Sequence, residues 1–139
     1  MLADDPSIIP TAVEELLRWV SPVAGSAARL ATCPVDLPSG AQVAEGTSVV
    51  PVFGAANVDP GVFEDPLVVR FDRRDNAHLA FGGGVHRCLG SHLARRELRA
   101  VLREWHRRIP EYRLKPGHEK LKYAPGVLRH VNDLTLEWP

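Results

Sequence analysis

Apolar residues recur with a helical period over residues 11–20, where Val13, Leu16, Leu17 and Val20 share one face. Thr11 stands where an N-cap belongs, and Glu14 and Glu15 occupy early positions favoured by the helix dipole. The pattern predicts a helix from about residue 11 to Val20, closed by Pro22. The period then changes. Residues 28–31, 34–37 and 47–52 are short runs separated by Pro38-Ser39-Gly40 and Glu45-Gly46, which read as short strands and hairpin turns. Residues 54–80 carry Asn57, Asp59-Pro60-Gly61 and Asp65-Pro66 without a sustained period, so a long ordered coil is expected. Coil of that length inside a compact domain is commonly functional.

A second helix is predicted over residues 89–109, a stretch with one glycine and no proline. Leu89, Leu93, Leu98, Val101, Leu102, Trp105 and Ile109 form its broad apolar stripe, and Pro110 stops it. Alternation over residues 133–138 predicts a last strand paired with one earlier in the chain. No internal repeat is found.

Composition narrows the partners. The 139 residues carry 17 Lys+Arg against 17 Asp+Glu, and 45% are hydrophobic, which places the chain in the globular class. A formal charge of zero argues against nucleic acid or a membrane surface as partner, and no apolar run approaches the ~20 residues that span a bilayer. The first six residues lack the basic and apolar regions of a signal peptide, and two cysteines, Cys33 and Cys88, make no disulfide scaffold. A reducing, cytoplasmic location is the expectation.

The candidate chemistry lies in Phe81-Gly82-Gly83-Gly84-Val85-His86-Arg87-Cys88-Leu89-Gly90. Three consecutive glycines allow conformations and close approach to a flat ligand that side chains would block. They deliver Cys88 to the start of the long helix, where unpaired amides and the dipole favour a thiolate able to ligate a metal. Alternatives stand beside this reading. Cys88 as a buried small hydrophobe after a glycine turn would need no function. Cys88 and His92 at i and i+4, with His86 close by, could begin a zinc site. A phosphate-cradling loop fails on spacing.

The decapeptide matches the haem-thiolate signature of the cytochromes P450 in its bacterial form, and the resemblance continues on both sides. Glu14-Glu15-Leu16-Leu17-Arg18-Trp19 resembles the family's Glu-x-x-Arg helix, and Ala55-Ala56-Asn57-Val58-Asp59-Pro60, Phe63 and Pro66 resemble the stretch after it. Arg70-Phe71-Asp72, Asn76-Ala77-His78-Leu79-Ala80 and Leu93-Ala94-Arg95 follow in family order. The resemblance implies a mainly α fold with small antiparallel sheets, α+β within this chain, corresponding to the C-terminal part of the longer family members. It implies haem b ligated by Cys88, with Phe81 beside the sulfur, Gly82, Gly84 and Gly90 bending the backbone, and His86 and Arg29 donating to the propionates. Glu15, Arg18 and Arg70 would form a buried ion-pair network that holds the coil.

The implied activity is monooxygenation: one oxygen atom from O2 enters a small organic substrate, with electrons from NAD(P)H arriving through a redox partner. Residues 87–108 hold seven arginines against two glutamates. Arg87, Arg95, Arg96 and Arg99 would offer an acidic, ferredoxin-type donor a basic face. Cys33 is expected to be a structural thiol, and Val23-Ala24-Gly25-Ser26 resembles a segment that approaches substrate. The family's central helix, with its distal acid/alcohol pair, has no counterpart, so an apolar surface is expected to stay uncovered. A haem- or metal-binding module without oxygenase chemistry, and a non-functional remnant of a longer protein, are the alternative readings.

Overall fold

The computed structural model describes every residue except Met1, Glu119 and Pro125. A single 3-10 turn, Pro6–Ile8, capped by the Asp5 side chain, leads directly into helix α1, Ile9–Val20. The helix therefore starts earlier than the pattern predicts. Thr11 lies inside its first turn with its hydroxyl bonded to the Ile8 carbonyl, because Pro10 at N2 needs no amide partner and lets the turn run straight on. Ser21 ends α1 in the left-handed region, φ 44°, with Pro22 behind it.

The strand region forms two small antiparallel pairs. Strands β1 (Arg29–Leu30) and β4 (Ser48–Val49) enclose β2 (Val35–Asp36) and β3 (Gln42–Val43), with Val35 opposite Val43 and Arg29 opposite Val49. Gly40, at φ +83°, makes the tight turn between β2 and β3. A one-turn helix, α2 (Phe53–Ala56), interrupts what the sequence reads as uniform coil. The meandering segment beyond it runs to the glycine loop. Helix α3, Ser91–Arg108, follows the loop, and β5 (Arg113–Leu114) pairs with β6 (Leu136–Glu137) near the C-terminus.

Helix α1 is the hub. Ile9, Val13 and Leu17 on one face pack with Ala80, Leu2, Phe81 and Leu102. On another face Glu15 and Arg18 are fully buried against the coil. Helix α3 packs on α1 through a mostly polar line, Ser91, Arg95 and Arg99, with Leu102 reaching the core.

The apolar stripe predicted for α3 is not its buried face: Leu89 is 98% exposed, and Leu93 and Val101 also face outward. Only its C-terminal members are covered, where Trp105 stacks edge-on against Tyr112 and Trp138. Val85, 97% exposed, and Leu89 leave the glycine loop with two uncovered apolar side chains, and Leu93 and Val101 add others along α3.

Candidate functional site

The glycine loop is shaped by local necessity. Gly82 and Gly84 adopt φ +66° and +61°, a region where a side chain strains the backbone, and a short 3-10 turn, Gly84–His86, follows. The loop closes on itself when the Cys88 N–H donates to the Phe81 carbonyl at 2.9 Å. Cys88 sits in the turn before α3, its carbonyl accepting the Ser91 N–H, so the thiol stands just ahead of the helix rather than in its first turn. Gly90, the residue before α3, has an ordinary φ of −78°; a Cβ there would meet the Cys88 sulfur at 3.9 Å. That is an ordinary van der Waals distance, so a small side chain would also fit beside the thiol. Cys88 is exposed, which removes the reading of a buried small hydrophobe.

The loop forms one wall of a cavity of about 430 Å³. Leu17 from α1, Phe53 from α2, and Val23, Ala80 and Phe81 supply apolar lining; Cys88, His86 and Arg29 supply a thiol and two basic groups. Five of the residues singled out in the sequence, Arg29, Phe81, Gly82, His86 and Cys88, thus meet around one hollow although Arg29 is distant in the chain. Gly84 bends the backbone before the thiol, whereas Gly90, at an ordinary φ that any residue adopts, does not need glycine for its conformation, which corrects the expectation for it. Among the described residues no three His, Cys, Asp or Glu side chains converge as metal ligands, so the zinc arrangement of His86, Cys88 and His92 is not built.

Behind the loop lies a buried ionic network. Arg18 donates to both Glu15 oxygens at 2.8 Å and to the carbonyls of Asn57 and Pro66 at 2.8 and 2.7 Å. Its guanidinium also lies 5.1 Å from the Phe63 ring centroid. The third basic member is Arg73, whose Nε reaches both Glu15 oxygens at 3.1 and 3.2 Å. This corrects the expectation for Arg70, whose side chain turns outward to Glu64 and Asp72. Arg70 contributes only its backbone N–H, at 2.9 Å from Glu15. The backbone direction there decides the assignment, because with the amide aimed at Glu15 the Arg70 side chain is directed away. Burial by itself would push the Glu15 carboxyl up, but Arg18, the Arg70 amide and Arg73 outweigh it and hold the group at about 2.

Asn57 and Ser21 are buried polar groups to which the sequence reading assigned no role. Asn57 takes the Leu79 N–H at 2.6 Å and donates to the Ser21 hydroxyl at 2.8 Å, tying α1's end to the segment entering the loop.

Glu14 forms a second cluster, with Arg95 Nε at 2.8 Å, His78 Nε2 at 3.1 Å and Arg99 Nη2 at 3.4 Å. Burial drives the His78 pKa down, overriding the pull of Glu14. Neutral His78 can take the Ala80 N–H on Nδ1 and give its Nε2 proton to Glu14. Arg95 and Arg99 are therefore engaged on the face packed against α1. Of the four arginines expected on a basic face, Arg87 and Arg96 are exposed, Arg99 keeps a 39% exposed side chain, and Arg95 is largely withdrawn.

Comparison with known proteins places this geometry. The pattern described as Cytochrome P450 matches residues 7–130. The chain is 44% identical to nocardicin C N-oxygenase of Nocardia uniformis subsp. tsuyamanensis over 99% of its own length and 35% of the relative's. It is 40% identical to vitamin D3 dihydroxylase of Streptomyces griseolus, covering 99% of this chain and 34% of that one. The crystal structure of cytochrome P450 MoxA from Nonomuraea recticatena superimposes with a TM-score of 0.92 at 40% identity, over 99% of this chain and 34% of that one. The chain belongs to the cytochrome P450 family. It spans about a third of the length of these relatives. The family binds haem through a cysteine thiolate.

The chemistry of the cavity fits such a group. A flat, largely apolar macrocycle with two carboxylates needs an apolar slot, a soft axial donor and cationic partners at its edge. The lining residues, Cys88, and the pair Arg29 and His86 provide these types.

Proposed function

We propose that this chain supplies the thiolate-bearing half of a haem site in a P450 monooxygenase. Cys88 would hold the iron, and Arg29 and His86 would neutralise the propionates. The observation that carries the reading is the Cys88 thiol exposed at an apolar cavity that also gathers Arg29 and His86. When bound, haem supplies the redox chemistry by which one oxygen atom from O2 is inserted into an organic substrate.

The protein's own part is positional and electrostatic. Left-handed Gly82 and Gly84 hold the loop open, and the Cys88 amide bond to Phe81 fixes the direction from which sulfur is presented. Leu17, Val23, Phe53 and Phe81 would offer apolar contact to the face of the macrocycle, and Arg29 and His86, both exposed at the same hollow, would be free to turn to its carboxylates. Glu15, Arg18 and Arg73 keep the supporting coil in place without touching the cavity.

Electrons from NAD(P)H would arrive through an acidic ferredoxin-type donor steered by Arg87 and Arg96. A small organic substrate would meet the side opposite Cys88, approached by residues 23–26. The two free thiols suit a reducing, cytoplasmic compartment, and among the described residues no helix is long and apolar enough to cross a membrane.

The test is reconstitution of the chain with haem, reduction under carbon monoxide, and a Soret spectrum of the wild type, Cys88→Ala and Cys33→Ala. A red-shifted, thiolate-type band lost only in Cys88→Ala is expected. Absence of haem uptake, or a band indifferent to Cys88, would overturn the assignment.

A further inference from the structure

The Glu14 cluster connects both ends of the cysteine loop, and the ion-pair network around Glu15 does not account for it. Glu14 on α1 receives Arg95 Nε on both oxygens at 2.8 and 2.9 Å, so it grips α3 one turn beyond the loop's exit. The same carboxylate receives His78 Nε2 at 3.1 Å, on the segment that enters the loop. These two partners then converge on one ring. The Arg95 guanidinium lies 4.6 Å from the Phe81 ring centroid, and the His78 ring is 6.3 Å from it. His78 Nδ1 also accepts the Ala80 N–H at 3.2 Å, fixing the residue just before Phe81. Phe81 in turn gives its carbonyl to the Cys88 N–H.

We infer that Glu14, acting through Arg95 and His78, is a positioning residue that clamps Phe81 and thereby sets the orientation of the Cys88 thiol. The inference deepens the haem-thiolate reading and rests on it for its purpose, though the clamp itself is a property of the polypeptide. The physical requirement is plain. A loop with two left-handed glycines and two nearly fully exposed apolar residues, Val85 and Leu89, has little packing of its own to hold it. Order must come from its ends. A guanidinium stacked on an aromatic face fixes the plane of the ring as well as its distance, provided a carboxylate holds the guanidinium from the other side. Lysine keeps the charge but cannot stack as a plane or donate from Nε.

The test uses the chain without haem first. Amide hydrogen exchange of residues 79–90 is compared in wild type, Glu14→Gln and Arg95→Lys. Both variants are expected to exchange the Cys88 amide about tenfold faster, with α1 amides near Glu15 unchanged. After haem loading, both should take up haem yet show a mixture of thiolate-type and unshifted Soret bands in the reduced carbon monoxide complex, and the unchanged exchange of the α1 amides distinguishes this from a general loss of stability. If Glu14→Gln exchanges everywhere because it fails to fold, Arg95→Lys decides alone. Unchanged protection of Cys88 in the folded variants, or full retention of the single thiolate band, overturns the clamp. Haem binding indifferent to Cys88 would overturn the haem reading instead, and leave the exchange result to decide the clamp.

Discussion

Replacing Glu15 by Gln probes the part of the structure on which the coil depends. The substitution keeps shape and removes charge, leaving the guanidinium groups of Arg18 and Arg73 buried around an amide. One end of that amide is itself a donor and would face donors. The carboxyl's value of about 2, against an ordinary 4.5, corresponds to about 3 kcal/mol of stabilisation at neutral pH. Breaking a buried pair from one side independently suggests about 3–5 kcal/mol. Either figure is a large share of the roughly 5–15 kcal/mol that holds a domain together.

The pH dependence has a definite direction. The unfolded carboxyl takes its proton near 4.5 while the folded one stays ionised to about 2, so the stabilisation is complete above 4.5 and drains away as pH falls towards 2. Urea unfolding followed by far-UV circular dichroism should show a gap between wild type and Glu15→Gln of about 3 kcal/mol at pH 7 that narrows through that window. A gap below about 1 kcal/mol at neutral pH, or one constant from 4.5 to 2, would refute the reasoning. The same assay separates the two candidate partners. Arg73→Gln should cost about 3 kcal/mol or more, whereas Arg70→Gln should cost less than about 1 kcal/mol because its exposed side chain is dispensable and its amide remains.

Three further outcomes are expected. Gly82→Ala should destabilise by about 1–2 kcal/mol through its left-handed φ, while Gly83→Ala, at an extended φ of −153°, should change little; urea midpoints of the two variants check this. Asn57→Ala strands the Leu79 amide and removes the donor to the Ser21 hydroxyl, which keeps its bond to the Arg18 carbonyl, a loss of about 2 kcal/mol, and should accelerate hydrogen exchange at Leu79 specifically. Both thiols are exposed, so iodoacetamide should label each; labelling of Cys33→Ala, where only Cys88 can react, should abolish the thiolate-type Soret band, and a band that survives full labelling would refute the proposed ligand.

How much could be read in advance depended on the range of the interaction. The α1 periodicity, the hairpin turns at Gly40 and Gly46, and the glycine loop ahead of Cys88 are local, because steric limits on φ and the helical repeat act over a few residues. The choice of Arg73 over Arg70 was not legible. Both arginines are near in sequence, and only the path of the coil, which turns the Arg70 amide towards Glu15, shows which side chain can reach a carboxylate 58 residues away.

Helix α3 makes the contrast plainest. Its residues determined that a helix would form, and its apolar positions suggested the buried face. Packing on α1 instead uses Arg95 and Arg99, because Glu14 offers a half-buried carboxylate that these guanidinium groups satisfy, while Leu89, Leu93 and Val101 remain uncovered. The sequence by itself determined the local conformations and the residue types needed to present a thiolate. The tertiary structure decided which charges are buried together and which face of each helix meets its neighbour, since a buried charge is tolerated only where a partner from elsewhere in the chain arrives to meet it.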